Sequence, residues 1–295
     1  MKDEKLLANS LENPDFLFES GSHLYGMATP ESDYDLRGFT FSPFPYLIGV
    51  KKFECQEMEG DTKIYSANHF LKLVLKGDPQ VTEGLFAPED KIIKCSELGR
   101  EILKMRDYLI SNAIYNRIMG YSTGEWRKAM AVRIVSTKFN KTKKEIINDI
   151  RTHWHVKKEK MDEIIKILDS VDKKKLISSF AGVGSKRKSE IEKYGFCRKS
   201  AAHSIRLVKQ VTELMETGSI VFPRPDREML LDIRNGKYTK EELEGLHDSV
   251  VAKAENMREK SVLPDKPNDK VVWEKYSELV AAVIQKDERF IQLVQ

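Results

Sequence analysis

Gly21-Ser22-His23-Leu24-Tyr25-Gly26-Met27-Ala28-Thr29-Pro30-Glu31-Ser32-Asp33-Tyr34-Asp35-Leu36-Arg37-Gly38 follows a short apolar and aromatic run, Phe16–Glu19. That run reads as a strand entering a tight turn at Ser20–Gly21. A Gly-Ser turn after a strand offers backbone N–H groups and a hydroxyl at the start of a helix, an arrangement suited to phosphate. A second strand is predicted over Asp33 to Phe41, where charge alternates with Tyr34, Leu36, Phe39 and Phe41. On a strand, Asp33 and Asp35 would project to one face. Two carboxylates projecting together repel unless a cation joins them, and hard oxygen donors at this spacing suit Mg²⁺ or Mn²⁺. Gly-Ser alone is an ordinary turn, and Asp-Tyr-Asp alone an ordinary edge strand. The ordered combination is far more specific.

Outward from this segment, Ser42-Pro43-Phe44-Pro45 interrupts the strand pattern. A third strand is expected at Thr62–Tyr65, followed by a helix capped by Ser66 with Phe70, Leu71, Val74 and Leu75 at helical spacing. Gly77-Asp78-Pro79 ends that helix, and Val81–Phe86 starts another apolar turn. From Ser96 onward the periodicity is helical: Leu98, Ile102, Met105 and Leu109 form one stripe, while Ile146, Ile150, Ile164, Ile165 and Leu168 mark others. Ser200 to Glu216 reads as a long amphipathic helix closed by Thr217-Gly218. A rigid connector, Phe222-Pro223-Arg224-Pro225, precedes a helix through Met229–Ile233, and the last helix spans Val271–Ile284. The pattern predicts an α+β chain, with a sheet-containing domain over residues 1–105 and a largely α-helical domain over 106–295.

The 295 residues carry 50 Lys+Arg, 46 Asp+Glu and 6 His, for a formal charge of +4. This length accommodates one large domain or two moderate ones. With 40% hydrophobic and 33% charged residues, the chain has enough apolar content for a core and too much for a disordered polymer. No apolar run reaches the roughly 18 residues of a membrane-spanning helix. Met1 to Asn13 lacks the apolar centre of a secretory signal. Cys55, Cys95 and Cys197 form neither a disulfide framework nor a zinc knuckle, which fits a reducing cytoplasm. Residues 1–105 hold 12 basic and 18 acidic side chains, a net of −6, so the remaining 190 carry +10. Within them, 138–199 has 18 basic and 9 acidic residues. That segment is either a solvated lysine-rich surface or an electrostatic footprint for a polyanion.

Lys199, His203 and Arg206 follow at i, i+4 and i+7, on one helical face. Three potential cations on one stripe repel unless they face anions, so a triphosphate or an RNA backbone is expected there, or a solvated face with one long arginine. His153-Trp154-His155 has no further ligand nearby, and Gly182-Val183-Gly184-Ser185-Lys186 lacks the spacing of a P-loop.

The Gly21–Gly38 segment resembles the active-site signature of the DNA polymerase β-type nucleotidyltransferases, in particular the branch associated with RNA repair. Two further stretches resemble that branch. The first runs from Asp61-Thr62-Lys63-Ile64-Tyr65 through Lys76-Gly77-Asp78-Pro79 to Glu83-Gly84-Leu85-Phe86. The second contains Lys193-Tyr194-Gly195-Phe196, Lys199, His203, Ile205-Arg206-Leu207, Phe222-Pro223-Arg224-Pro225-Asp226-Arg227 and Ile233-Arg234-Asn235-Gly236. Cys197 and Ser200 stand where the branch usually has acidic and histidine residues, and Asp78 replaces a usual asparagine.

The resemblance implies a small mixed-sheet nucleotidyltransferase core and a helical C-terminal region. By the same resemblance, Gly21 and Ser22 hold the phosphates of an incoming NTP, ATP among them. Asp33 and Asp35 bind divalent metal, and Asp61 supplies the third carboxylate. Lys199 and Arg206 become phosphate contacts, with His203 a hydrogen-bonding or acid group. Arg37 reaches a phosphate or pairs with Asp35 or Glu31. Glu83 is a reserve acidic position, equally readable as a core-edge carboxylate. Arg224, Asp226 and Arg227 fix the connector, and Tyr25 stacks on a base or belongs to the core. The expected activity is metal-dependent transfer of NMP to a hydroxyl, at a tRNA-like RNA 3′ end bound through the basic 138–199 segment, without a membrane. The alternatives are nucleotidylylation of a protein or small molecule, and a catalytically silent nucleotide- or RNA-binding module.

Overall fold

A computed structural model of the chain describes residues 2–136, 147, 190 and 193–286. Most of the basic 138–199 segment, His153-Trp154-His155, Gly182-Val183-Gly184-Ser185-Lys186 and the stripes at Ile146, Ile150, Ile164, Ile165 and Leu168 lie outside the described residues. Packing divides the chain into two compact units, each discontinuous in sequence. One comprises Met1–Met119, Lys209–Arg227 and Lys253–Gln295; the other comprises Gly120–Val208 and Glu228–Ala252.

The first unit is built on a mixed sheet, and the chain is α+β. Among the described residues the unit opens with α1 (Lys2–Glu12), β1 (Phe16–Glu19), α2 (Gly21–Tyr25), β2 (Leu36–Thr40), α3 (Phe44–Leu47), β3 (Cys55–Met58) and β4 (Thr62–Ser66). It continues with α4 (Ala67–Leu75), α5 (Pro79–Thr82), a 3-10 turn at Glu83–Phe86, β5 (Ile92–Cys95), α6 (Glu97–Lys104) and α7 (Arg106–Leu109). The strand order is β3-β4-β2-β1-β5. β1 runs antiparallel to β2 and β5, β3 antiparallel to β4, and β2 parallel to β4. Phe16 and Phe18 of β1 alternate inward, and both are fully buried with Phe39 and Phe70. Phe39 pairs with Phe16 across the ladder, and its ring lies 5.5 Å from that of Phe16 and 4.7 Å from that of Phe70 on α4. This aromatic layer anchors α4 to the sheet. Ser66 caps α4 as its sequence predicts, its hydroxyl accepting the His69 N–H at 3.2 Å.

Three local expectations are corrected. The second strand starts at Leu36, so Asp33 and Asp35 precede it. The cause is β1, whose pairing with β2 stops at Glu19↔Leu36 before the chain turns into α2 at Gly21. Beyond that point the Ser20 N–H continues the main-chain pairing by donating to the Asp35 carbonyl at 2.9 Å. At Ser42–Pro45 the break continues into the single turn α3, because proline is tolerated in a first turn. Finally, the stripe from Leu98 to Leu109 is divided between α6 and α7.

The further helices among the described residues are α8 (Ala113–Ser136), α9 (Arg198–Thr217), α10 (Arg227–Arg234), α11 (Lys240–Glu259) and α12 (Asp269–Gln285). Parts of α8, α9, α10 and α11 form the second unit. There, Ser122 and Ser204 clasp each other in the interior at 2.9 Å, and the Trp126 ring stacks flat on His247 with centroids 3.7 Å apart. Among the described residues, no helix is long and apolar enough to cross a membrane. The three cysteines are free thiols.

Candidate active site

Gly21 and Asp35 meet at the end of the β1–β2 pair. Gly21 adopts φ +61°, and a Cβ built on it would overlap Asp35 Oδ2. Only glycine tolerates both the left-handed backbone and the adjoining carboxylate. The Ser20 N–H and hydroxyl both donate to the Asp35 carbonyl, at 2.9 and 3.4 Å, and so hold Asp35 beside the turn. Asp33 is exposed and Asp35 half-buried. Between them, Tyr34 donates its hydroxyl to Glu19 Oε1 at 2.6 Å, and Lys91 binds the other oxygen of Glu19 at 2.7 Å. The hydrogen bond to Glu19, with burial and the carboxylate charge, pushes the Tyr34 phenol up to about 12. Edge-on packing against His23 at 4.9 Å completes the anchorage of the residue that separates the two aspartates.

Asp61 closes the β3–β4 hairpin at φ +53°, a left-handed conformation that aspartate tolerates better than most residues. Because β2 and β4 pair in parallel from Leu36↔Thr62, Asp35 and Asp61 immediately precede the same end of neighbouring strands. Arg37 bridges this end by donating to the Leu36 carbonyl at 3.1 Å and the Asp61 carbonyl at 2.9 Å. Arg37 thus binds main-chain oxygens, whereas the sequence allows a phosphate contact or a pair with Asp35 or Glu31. A polar cavity of about 330 Å³ opens beside Asp61, lined also by Arg37, Glu57, Thr62, Lys63 and Gln80.

The chemistry of these donors fits a hard divalent ion, since all are carboxylate oxygens and Gly21 leaves Asp35 room. Among the described residues, no group of three or more His, Cys, Asp or Glu side chains is gathered closely enough to hold a metal ion. Asp33, Asp35 and Asp61 thus share one end of the sheet without forming a closed ligand set.

Lys199, His203 and Arg206 belong to the second unit. Their helix packs an anion of its own: Glu125 lies 4.0 Å from His203 Nδ1 and accepts from Lys128 at 2.6 Å. Burial pushes the Glu125 carboxyl up, but Lys128, His203 and the Ser200 hydroxyl outweigh it and hold it below the usual range. Burial, and then the Arg206 guanidinium, push the His203 imidazole down to about 4, against the opposing pull of Glu125. His203 is therefore neutral at pH 7. Lys199 is exposed, and Arg206 is 5% exposed.

Because the folded protein binds a proton at His203 less readily than the unfolded chain, stability is lost as pH falls from about 6.5 toward 4. Thermal melts at pH 7 and pH 5 are expected to separate the wild type from His203→Gln, with the wild type losing more on acidification. Equal losses would show that His203 carries no such linkage.

Two residues given little weight in the sequence prove central to the packing behind the Gly21 turn. Glu83 is 1% exposed, and Tyr25 donates to it at 2.8 Å. Gln210, which no motif marked, donates to the other Glu83 oxygen at 3.0 Å. Asp78 caps α5 by accepting the Gln80 and Val81 N–H groups at 3.1 and 3.4 Å, a task that asparagine performs as well. Arg224 is 3% exposed and ion-paired with Glu213 and Asp226, which fixes the connector as expected.

A mixed sheet with a glycine turn after its first central strand and an Asp-x-Asp before the next is the architecture that the signature implied. The chain belongs to RlaP, the RNA repair pathway DNA polymerase beta family, whose model matches residues 15–280. It is also similar to the uncharacterized 38.9 kDa protein in the nrdC-mobD intergenic region of Enterobacteria phage T4, with 23% identity over 293 residues, covering 80% of this chain and 86% of that protein. No solved structure matches. Membership of a polymerase β-like family suggests a nucleotidyltransferase.

Proposed function

We propose that the protein is a metal-dependent nucleotidyltransferase that moves NMP from an NTP, ATP among the candidates, onto the 3′-hydroxyl of a tRNA-like RNA. The observation that carries this reading is the apposition of Gly21 and the Asp35 carboxylate at the edge of the β1–β2 pair, within a chain of the RNA-repair polymerase β family. In this proposal Gly21 and Ser22 cradle the β- and γ-phosphates. Asp33, Asp35 and Asp61 would hold Mg²⁺ or Mn²⁺, which would neutralise charge on the attacking and leaving oxygens. Asp61 accepts the proton of the attacking hydroxyl. A bond then forms from that oxygen to the α-phosphorus as the bond to the β-phosphate oxygen breaks, and pyrophosphate leaves. Positioning and charge neutralisation supply the catalysis, with no covalent protein intermediate.

Arg37 maintains the Asp61 turn by its hydrogen bond to the Asp61 carbonyl. Lys199 is a proposed contact to RNA phosphate, with neutral His203 as a hydrogen-bonding group; Arg206, at 5% exposure, is set too deep to meet an RNA backbone, which corrects that expectation. The basic 138–199 segment supplies the sequence-independent part of RNA affinity, so binding should weaken as salt rises. The free thiols and lysine-rich composition suit a cytoplasmic setting.

Incubation with each labelled NTP, total RNA and Mg²⁺ or Mn²⁺, followed by size separation, tests the reading. Label in RNA is the expected result. Label confined to protein or to small molecules would redirect the acceptor. Nucleotide binding without turnover would indicate the silent module.

A further inference from the structure

The Gly21–Met27 segment is held from behind by two separate parts of the first unit. From the 3-10 turn, the buried Glu83 carboxylate receives the Tyr25 hydroxyl on Oε2 at 2.8 Å and the Gln210 amide on Oε1 at 3.0 Å. From the connector, the Arg224 N–H donates to the Tyr25 carbonyl at 3.1 Å, and the Phe222 ring stacks on Tyr25 with centroids 6.1 Å apart. Gly26, at φ +70°, lies so close to Pro223 that a Cβ could not fit between them. Within the segment, the Met27 N–H returns to the Ser22 carbonyl at 2.9 Å, closing the turn on the residue proposed to touch phosphate.

A fully buried carboxylate is costly unless every oxygen is satisfied, and here both oxygens are engaged. Removing the Tyr25 hydroxyl takes one hydrogen bond from a carboxyl group that is 1% exposed. The strain falls on the contact between Glu83 and the Gly21–Met27 turn. The main-chain ladder between β1 and β2 does not involve that contact.

We propose that Glu83 is a positioning residue for nucleotide binding: through the Tyr25 hydroxyl its carboxylate sets the place of the Gly21–Ser22 turn that receives the phosphates. This rests on the nucleotidyl-transfer reading above. Glu83 and Tyr25 touch no reacting atom in this account; they act by holding the turn.

The test compares wild type with Tyr25→Phe, Glu83→Gln, Glu83→Ala and Asp35→Asn. Tyr25→Phe keeps the ring against Phe222 and removes one hydroxyl, so it remains informative if Glu83→Ala does not fold. Amide hydrogen exchange at Gly26 and Met27, read on the free protein, is expected to quicken about tenfold in Tyr25→Phe while β1 amides are unchanged. The KM for NTP should rise about tenfold, with kcat within about threefold. Glu83→Gln, which can still accept the tyrosine hydroxyl, should recover most of both effects.

Unchanged exchange and unchanged KM in Tyr25→Phe would overturn the proposal. If Asp35→Asn abolishes transfer while Tyr25→Phe matches wild type, positioning by Glu83 fails and the transfer reading stands. If the wild type transfers no labelled nucleotide, the transfer reading fails and with it the nucleotide role, whereas normal transfer by Asp35→Asn would remove only Asp35 from the metal centre.

Discussion

Asp35→Asn is expected to reduce nucleotidyl transfer by about a thousandfold or more, while the melting temperature stays within roughly 2 °C of wild type. Asparagine keeps the size of the side chain, and the Asp35 carbonyl that accepts the Ser20 N–H at 2.9 Å is untouched. The β1–β2 register should therefore persist. What disappears is one carboxylate oxygen beside Gly21, and under the proposed function several kcal/mol of metal-dependent stabilisation of the transition state would go with it. A loss of about 4 kcal/mol corresponds to the thousandfold figure. Incorporation of labelled NMP into RNA at saturating Mg²⁺ measures it directly. Activity within threefold of wild type would remove Asp35 from the metal centre.

The second large effect is on stability. Arg224→Met should cost about 3–5 kcal/mol, because it removes the cation shared by two largely buried carboxylates and leaves Asp226 only the longer 4.0 Å pair with Lys209. The guanidinium is 3% exposed and serves both Glu213 and Asp226, whose side chains are 18% and 8% exposed. In a chain of this size the melting temperature should fall by roughly 6–12 °C. Lys63→Met is the appropriate contrast. Its 2.9 Å pair with Glu57 is open to solvent, and such pairs contribute about 0–1 kcal/mol. If the two variants melted together, the buried network would not be what secures the connector.

Much of the first unit was legible because its signals are local. The bounds of β1 at Phe16–Glu19 follow from an apolar run ending in small residues, and Ser66 and Gly218 mark helix ends by their own chemistry. The strands that escaped, β3 and β5, lack that contrast: three of the four β3 residues are exposed, so no hydrophobic alternation announces it. Asp33 and Asp35 were misplaced onto the strand because alternation cannot reveal where the pairing partner turns away. That event belongs to β1 and Gly21.

The aspartates, the glycine turn and the family were readable from residue order. The Glu83–Tyr25–Gln210 group was not, since its members are 58 and 127 residues apart in sequence. A usable hint existed in each case: Glu83 is a charge inside the apolar run Val81–Phe86, and Gln210 interrupts the apolar face of α9. The interleaving of the two units is similarly invisible to a linear reading, because α8, α9 and α11 each continue from one unit into the other. Likewise, a stripe of Lys199, His203 and Arg206 does not announce that Glu125 comes to meet it.

The parallel pairing of β2 and β4 has an electrostatic consequence of its own. Asp35 and Asp61 precede these strands, whereas the Ser66-capped start of α4 follows β4 at the opposite end. Four strand residues separate Asp61 from that cap, and the five steps span roughly 16 Å at about 3.3 Å per residue. The partial positive charge at the start of α4 is therefore more than one Debye length away, the screening distance being about 8 Å in physiological salt. In open parallel sheets ligands collect at the carboxyl ends of strands, where such helix starts are at hand. This sheet places its carboxylates at the other end. An anion arriving there meets the aspartates beside the Gly21 helix start and the Arg37 and Lys63 side chains of the cavity, and under the proposed function a bound cation would offset the carboxylate charge.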